Sequence, residues 1–136
     1  MIATHRLSSP EAAQRQVAVF AACLAIRGGL TRRQAYRLRL AADEITTNIW
    51  THGYRGEQGV VDLCACVEPD RVWLRTEDDA PPFDPRGYPA AGFGLRLALT
   101  GPDQFGYRFV GRNRNTLIMR RPGRGGPGDG DDRERA

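Results

Sequence analysis

Residues 40–54 read LAADEITTNIWTHGY, and their spacing predicts one amphipathic helix with a core face and a polar line. The core face consists of apolar residues three or four positions apart: Leu38, Ala42, Ile45 and Ile49. Beside it, Glu44, Asn48 and His52 recur every four residues. A carboxylate and a carboxamide stacked in this way can hold a hard cation and orient a hydroxyl group, as a phosphate site requires. The alternative is a solvated helix side.

Capping signals upstream divide the first half of the chain into two helices. Ser9 before a proline predicts an N-cap, and the glycines at 28–29 predict the end of that first helix. Thr31, followed three residues later by Gln34, predicts a capping box for the second helix. We expect this second helix to end near His52.

The second half of the chain favours strands. The predicted elements are strands at 60–67 and 71–77, a loop over 78–91, a short helix at 93–99 and two closing strands at 105–110 and 116–120. With a short first strand, the order is β-α-α-β-β-loop-α-β-β. Helices grouped against hairpin-connected strands predict an α+β fold, a two-layer α/β sandwich. We expect a mixed, mostly antiparallel sheet with the helices on one face.

Length and composition exclude several classes of protein. The chain has 136 residues, which suffice for one domain; we expect this domain at 1–121 and a disordered tail at 122–136, which is rich in Gly, Pro, Asp and Arg. All 20 basic residues are arginine, and the absence of lysine excludes a P-loop, Schiff-base chemistry and a kinase built on a strand lysine. The net charge of +4 fits an acidic protein partner, nucleotide phosphates or solubility alone.

The N-terminal residues and the cysteines predict a cytoplasmic location. The chain starts without the apolar region of a signal peptide, and its apolar runs are too short to span a membrane. Its three cysteines are an odd number, which fits a reducing compartment. Cys64 and Cys66 share one strand face, where two small buried thiols are favoured over a zinc site. The aromatic residues are scattered, which argues against nucleic-acid binding.

Two further segments offer groups for binding a nucleotide. A predicted strand ends at Asp78 and runs into a proline-rich stretch at 81–85, which can present a carboxylate to a ligand or form an ordinary surface turn. Gly92 and Gly94 open the short helix, where small residues let phosphates approach backbone amides. The alternative for these glycines is a flexible loop with a helix attached.

In this order, the segments resemble the anti-sigma factor and serine-protein kinase family, within the superfamily of histidine-kinase-like ATPases (GHKL or Bergerat fold). Residues 40–54 resemble its N-box, E-x-x-x-N-x-x-x-H-x-Y, and residues 78–85 resemble its G1 box, D-x-G-x-P-F-D-P. Residues 92–95 are similar to its G2 box, and 111–119 to its closing hairpin. The resemblance covers about residues 4 to 121. It implies a Bergerat-type ATPase fold with ATP and Mg²⁺ as cofactors.

The resemblance also implies a role for each matched residue. Asn48 would coordinate the Mg²⁺ that bridges the phosphates, and Glu44 would act as general base toward an attacking hydroxyl group. Asp78 would accept a hydrogen bond from the exocyclic amine of adenine. The other positions implied in nucleotide binding are Ala80, Gly92, Gly94, Leu95 and, through water at the adenine end, Thr116.

The partners implied by the resemblance are those of bacterial transcription regulation. The family phosphorylates a serine or threonine of a small anti-anti-sigma (STAS) protein and silences a sigma factor, typically as a homodimer. The first hypothesis is therefore an ATP- and Mg²⁺-dependent serine/threonine kinase, favoured by the intact pair of Glu44 and Asn48. The second is a degenerate module that sequesters a sigma factor or another regulator with weak or no nucleotide binding. It is favoured by Ala80, which replaces the glycine of the G1 box, and by a short lid between Pro85 and Gly92.

Overall fold

The chain folds into two layers, a five-stranded sheet and a layer of helices packed on one of its faces. The computed structural model describes residues 2–87 and 92–123. Its elements are β1 (Ile2–Leu7), α1 (Pro10–Gly28), α2 (Arg32–Asn48), a π-helical turn (Ile49–Gly53), β2 (Val61–Val67), β3 (Arg71–Asp78), α3 (Gly92–Ala98), β4 (Gln104–Phe109) and β5 (Asn113–Arg120). The predicted element order and the α+β sandwich are confirmed.

The sheet has the strand order β1-β2-β3-β5-β4, and each of these neighbouring pairs is antiparallel. A parallel component, expected for a mixed sheet, is therefore not seen among the described strands. Because side chains alternate between the two faces of a strand, the register decides which residues meet the helices. Asp78 lies opposite Asn113, and Thr76 lies opposite Asn115. These four side chains are all buried on the helix-facing side.

Both predicted helix starts are confirmed. The Ser9 side chain accepts a hydrogen bond from the backbone of Ala12 and caps α1. Thr31 and Gln34 form the reciprocal capping box of α2. Gly29 ends α1 with a φ of 66°, a left-handed conformation that favours glycine.

Two element boundaries differ from the prediction by three residues or more. The α-helical part of α2 ends at Asn48, because the backbone widens into the π-helical turn before His52. β5 begins at Asn113, three residues before the predicted start at 116. Asparagine is disfavoured in strands, so the two buried asparagines of β5 hid this start in the sequence.

The core lies between the helices and the sheet and contains the predicted face of α2. Leu38, Ala42, Ile45 and Ile49 are all buried. None of the described helices combines the length and the apolar character needed to cross a membrane. Residues 124–136 of the predicted tail and 88–91 of the predicted lid lie outside the described residues.

The cysteines do not match the expected pair of buried thiols. Cys64 and Cys66 are half-buried on the sheet face opposite the helices, and Cys23 is exposed. All three are free. Burial raises the pKa of the Cys64 thiol, which disfavours its reactive thiolate form.

Candidate functional site

The polar line of α2 places an amide oxygen without a partner in the interior. Asn48 is 5% exposed, and its Oδ1 accepts no hydrogen bond from the described residues. An unpaired polar atom in this position is costly unless a ligand completes it. Asn48 therefore offers an oxygen ligand in a site that the protein itself leaves unsatisfied.

Glu44 lies one helical turn before Asn48 and contacts the start of α3. A Cβ atom built on Gly94 would lie 2.9 Å from Glu44 Oε1. Gly94 thus leaves room for the Glu44 carboxylate, and the structure brings these two predicted residues together. Leu95, the next residue, is fully buried in the core, so its side chain anchors α3 rather than lining an open site. Gly92 is the first residue of α3.

Asp78 ends β3 with a buried carboxylate. It is 1% exposed, and its Oδ1 accepts hydrogen bonds from the backbone N–H of Ala80 at 3.0 Å and from Asn113 Nδ2 at 2.9 Å. Burial raises the pKa of Asp78, whereas these two hydrogen bonds and the positive charge of Arg112 oppose the rise. Both hydrogen bonds end on Oδ1, which leaves Oδ2 able to accept one from a ligand.

Ala80, the departure from the G1-box glycine, is buried against the π-helical turn. A Cβ atom built on Gly53 would lie 3.0 Å from the Cβ of Ala80. The methyl group of Ala80 therefore occupies space that Gly53 leaves open. The small residue that this close approach requires is present at position 53 instead of position 80.

Tyr54 connects the helical layer to the end of β3. Its hydroxyl donates a hydrogen bond to the carbonyl of Val60 at 2.6 Å and accepts one from the backbone N–H of Asp79 at 2.9 Å. Asp79 directly follows Asp78, so this pair of bonds ties the end of the polar line to the segment that carries the buried carboxylate. Burial raises the pKa of the Tyr54 hydroxyl.

The position of Thr116 does not fit its implied role in adenine binding. Its side chain lies on the open face of the sheet, where Thr116 Oγ1 accepts a 3.5 Å hydrogen bond from Arg75 Nε. Its neighbour Asn115 faces the helices and is 2% exposed. Asn115 Nδ2 donates to Thr76 Oγ1 at 3.3 Å, and Asn115 Oδ1 has no partner among the described residues. The neighbour of Thr116 that lies on the same face of the sheet as Asp78 is therefore Asn115.

Sequence reasoning missed Asn113 and Asn115 because it started the last strand at residue 116. Both asparagines can be located from the alternation of buried and more exposed side chains along β5. When the strand is extended back to Asn113, every second residue from Asn113 onward lies on the same face of the sheet as Asp78.

The polar side-chain oxygens of this site fit a nucleotide with a magnesium ion. Mg²⁺ prefers oxygen ligands and is usually bound by one or two protein oxygens together with phosphates and water. Asn48 Oδ1 supplies such an oxygen, and Glu44, one helical turn away, lies against Gly94. Within residues 2–87 and 92–123, no group of three or more His, Cys, Asp or Glu residues is arranged to hold a metal.

Comparison with known protein families identifies the domain type. A family model described as the histidine kinase-like ATPase domain matches residues 7–121. The matched span contains the polar line of α2, Asp78 and the start of α3. No curated protein matches the chain. Because this match covers most of the chain, the protein belongs to the histidine kinase-like ATPase domain family of anti-sigma regulatory factors, within the GHKL superfamily.

Proposed function

We propose that this protein is an anti-sigma regulatory factor that binds ATP with Mg²⁺, transfers the γ-phosphoryl group to a serine or threonine of an anti-anti-sigma (STAS) switch protein, and binds and silences a sigma factor. The observation that carries the proposal is the buried, unpaired Oδ1 of Asn48, one helical turn from Glu44. ATP binding is a property of the family to which the chain belongs.

Each proposed step uses a group of this chain. Asp78 Oδ2 accepts a hydrogen bond from the adenine amine, and Asn48 Oδ1 ligates the cation. Glu44 takes the proton of the acceptor hydroxyl as its oxygen forms a bond to the γ-phosphorus and the bond to the β-phosphate oxygen breaks, releasing ADP. Bound Mg²⁺ neutralises charge on the phosphates. Because Glu44 is half-buried, its carboxylate remains accessible to an incoming hydroxyl.

We propose that a groove between α1 and α2 receives part of the protein acceptor; Glu44 is not among its lining residues and lies on the side of α2 that faces α3. The cavity has a volume of about 590 Å³ and is lined by Glu11, Arg15, Arg39 and Asp43, among others. Asp43 directly precedes Glu44, and its Oδ1 is buried without a partner among the described residues. Burial raises the pKa of Asp43, while Arg39 opposes the rise. A polar loop with a hydrogen-bond donor fits this groove and would satisfy that oxygen.

Phosphoryl transfer to purified candidate STAS proteins tests the proposal. With Mg²⁺ and ATP labelled at the γ-phosphate, wild-type protein should label its partner. Glu44→Gln should lower the rate of phosphoryl transfer by about 100-fold or more, as is typical for loss of a general base. Binding of ATP should persist in Glu44→Gln, because this variant keeps the size of the side chain. Glu57→Gln changes an exposed carboxylate outside the site and serves as the matched control. ATP binding without any transfer to a partner that the protein binds would contradict kinase activity.

The second candidate, a sequestering module without useful nucleotide binding, rested on Ala80 and the short lid. The contact of Ala80 with Gly53 weakens the first ground, because the extra methyl group faces the π-helical turn. Capture of a sigma factor that is unchanged by Mg-ATP and by Glu44→Gln would support this second candidate instead.

We propose a homodimer formed along β1. Of the six residues of β1 only Leu7 is buried, and the outer edge of this strand pairs with no described strand. An adjoining groove of about 570 Å³ is lined by Ile2, Val19, Phe20 and Cys23, among others. An unpaired edge beside apolar residues is suited to pairing with a second copy. Val19→Asp should therefore convert a dimer to a monomer in sedimentation, and a wild-type monomer at micromolar concentration would contradict the dimer.

A further inference from the structure

Asn113 lies at the centre of a buried hydrogen-bond network around Asp78. It is the first residue of β5 and is 2% exposed. Its Nδ2 donates to Asp78 Oδ1 at 2.9 Å and to the carbonyl of Ala80 at 2.9 Å. Its Oδ1 accepts from the backbone N–H of Phe83 at 2.9 Å and from the hydroxyl of Tyr107. One side chain thus connects two strands with the turn that follows β3.

The orientation of the Asn113 amide is fixed by its partners. The backbone N–H of Phe83 can only donate, so the amide atom that faces it must be the oxygen. Nδ2 then necessarily points at Asp78 Oδ1 and at the carbonyls of Ala80 and Pro81. Tyr107 reinforces this arrangement, because its hydroxyl also accepts a hydrogen bond from Phe83 N at 3.0 Å. The amide therefore has one rotamer and one flip state that satisfy the network.

Recognition of the adenine amine requires the Asp78 carboxylate to be a hydrogen-bond acceptor with a defined orientation. An ionised carboxylate held at Oδ1 presents Oδ2 to the ligand, whereas a protonated carboxyl group presents a donor that opposes the amine. The other charged or titratable groups that act on Asp78 are Arg112, Asp79 and Tyr54. Arg112 favours the ionised form, and Asp79 opposes it. Burial opposes it most strongly, and the bond from Asn113 is the largest single contribution that favours it.

We propose that Asn113 is a positioning residue for base recognition, which acts through Asp78 and the 80–83 turn to set the preference of the site for adenine nucleotides. This inference rests on the proposed binding of ATP at Asp78. It is independent of phosphoryl transfer, because Asn113 lies on the sheet and Glu44 on the helical layer.

The first test needs no nucleotide. In protein labelled with ¹³C at the aspartate carboxyl groups, NMR titration measures the pKa of Asp78 directly. Asn113→Ala should raise this pKa above the wild-type value, since burial is then less well opposed. Tyr107→Phe removes only one hydroxyl and should raise it by a smaller amount. Thr116→Val, on the open face of the same strand, is the matched control and should leave the pKa unchanged.

The second test measures base selectivity. Wild-type protein should bind ATP more tightly than ITP, which carries a carbonyl oxygen in place of the amine. Asn113→Ala should lose about tenfold or more in ATP affinity at pH 7, from the loss of a hydrogen bond to a charged group, and much less in ITP affinity. ATP binding falls as Asp78 takes up a proton, so the loss on acidification should begin at a higher pH in this variant than in wild type.

The outcomes separate the inference from the proposed function. A wild-type protein that binds no ATP refutes the proposed function, and the NMR titration still tests the contact of Asn113 with Asp78. An Asp78 pKa that is the same in wild type and Asn113→Ala, or an unchanged ratio of ATP to ITP affinity, overturns the inference. If Asn113→Ala does not fold, Tyr107→Phe decides by the same two measurements, because it retains the amide and the strand.

Discussion

Replacement of Gly53 by alanine tests whether the methyl group of Ala80 faces the helical layer. A Cβ at position 53 would lie 3.0 Å from the Cβ of Ala80, which is too close for two carbons to pack without movement. Overpacking of this kind costs about 1–3 kcal/mol, and exchange of a helical glycine for alanine returns up to about 1 kcal/mol. Gly53→Ala should therefore lower the free energy of unfolding by about 1–2 kcal/mol.

The Ala80→Gly background isolates this contact. By itself, Ala80→Gly removes one buried methyl group, worth about 0.8 kcal/mol, and adds backbone freedom that costs about 0.5–1 kcal/mol. In this background the new methyl group at position 53 meets no Cβ at position 80. Gly53→Ala should then be neutral or stabilising by up to about 1 kcal/mol. The two effects of Gly53→Ala should differ by about 1–3 kcal/mol, which is the coupling energy of the pair.

Urea unfolding of the four proteins measures this coupling, and ATP titration measures its functional meaning. Trp50 lies in the π-helical turn and is 5% exposed, so its fluorescence reports on unfolding of the affected region. ATP affinity of Ala80→Gly should remain within about twofold of wild type, a difference below about 0.5 kcal/mol. Additive effects of the two substitutions, or an ATP affinity at least about tenfold higher in Ala80→Gly, would refute the reasoning. The methyl group would then occupy space that the nucleotide needs.

Three further perturbations follow from buried groups. Asn48→Ala should abolish the rise of the melting temperature caused by Mg-ATP. The ligand-free variant should be as stable as wild type or about 1 kcal/mol more stable, because the substitution removes an unpaired buried oxygen. Calorimetry that shows an undiminished shift with Mg-ATP would contradict the proposed role of Asn48 in metal binding. The pKa of Asp78 is raised in the folded state, so at pH values between its ordinary pKa and the raised pKa the native protein binds more protons than the unfolded chain. The free energy of unfolding should therefore fall with rising pH in that window, and this pH dependence should be weaker in Asp78→Asn. Urea unfolding at a series of pH values measures the two slopes, and equal slopes would contradict the prediction. Gly28→Ala should lower the free energy of unfolding by about 1–3 kcal/mol, because the new Cβ would lie 2.4 Å from Val72 Cγ1. In a Val72→Ala background the same substitution should lower it much less. Urea unfolding that gives an equal loss in both backgrounds would show that the strain does not come from Val72.

The parts of the fold that the sequence predicted are those decided by local contacts. A cap such as Ser9 or the pair of Thr31 and Gln34 acts within one helical turn, so its signal is complete in a short segment. The start of β5 at Asn113 is a different case. Asparagine lies in a strand there because its side chain is satisfied by Asp78, 35 residues away in the chain, and no local preference records such a partner.

The same distinction applies to the candidate site. The spacing of Glu44 and Asn48 was predictable because a single helix sets it, and the structure places Glu44 against Gly94. The resemblance implies a role for Thr116, but its side chain lies on the open face of the sheet, and its neighbour Asn115 lies on the face of Asp78, because successive strand residues point to opposite faces. Asn113 and Asn115 were missed since their importance arises only from the pairing of β5 with β3.

The residues proposed for base recognition and for phosphoryl transfer lie in different layers of this molecule, and contacts between the two layers set their alignment. Asp78 and Asn113 lie on the sheet, whereas Glu44 and Asn48 lie on α2. Two of the connections between the end of the helical layer and the end of β3 are the hydrogen bond from Asp79 N to the Tyr54 hydroxyl and the packing of Ala80 against Gly53. We therefore expect a change at either contact to alter the position of Glu44, the proposed general base, relative to a bound nucleotide without removing a group proposed to bind it. For this reason Ala80, set in that contact, bears on the geometry of transfer more than on the affinity for adenine.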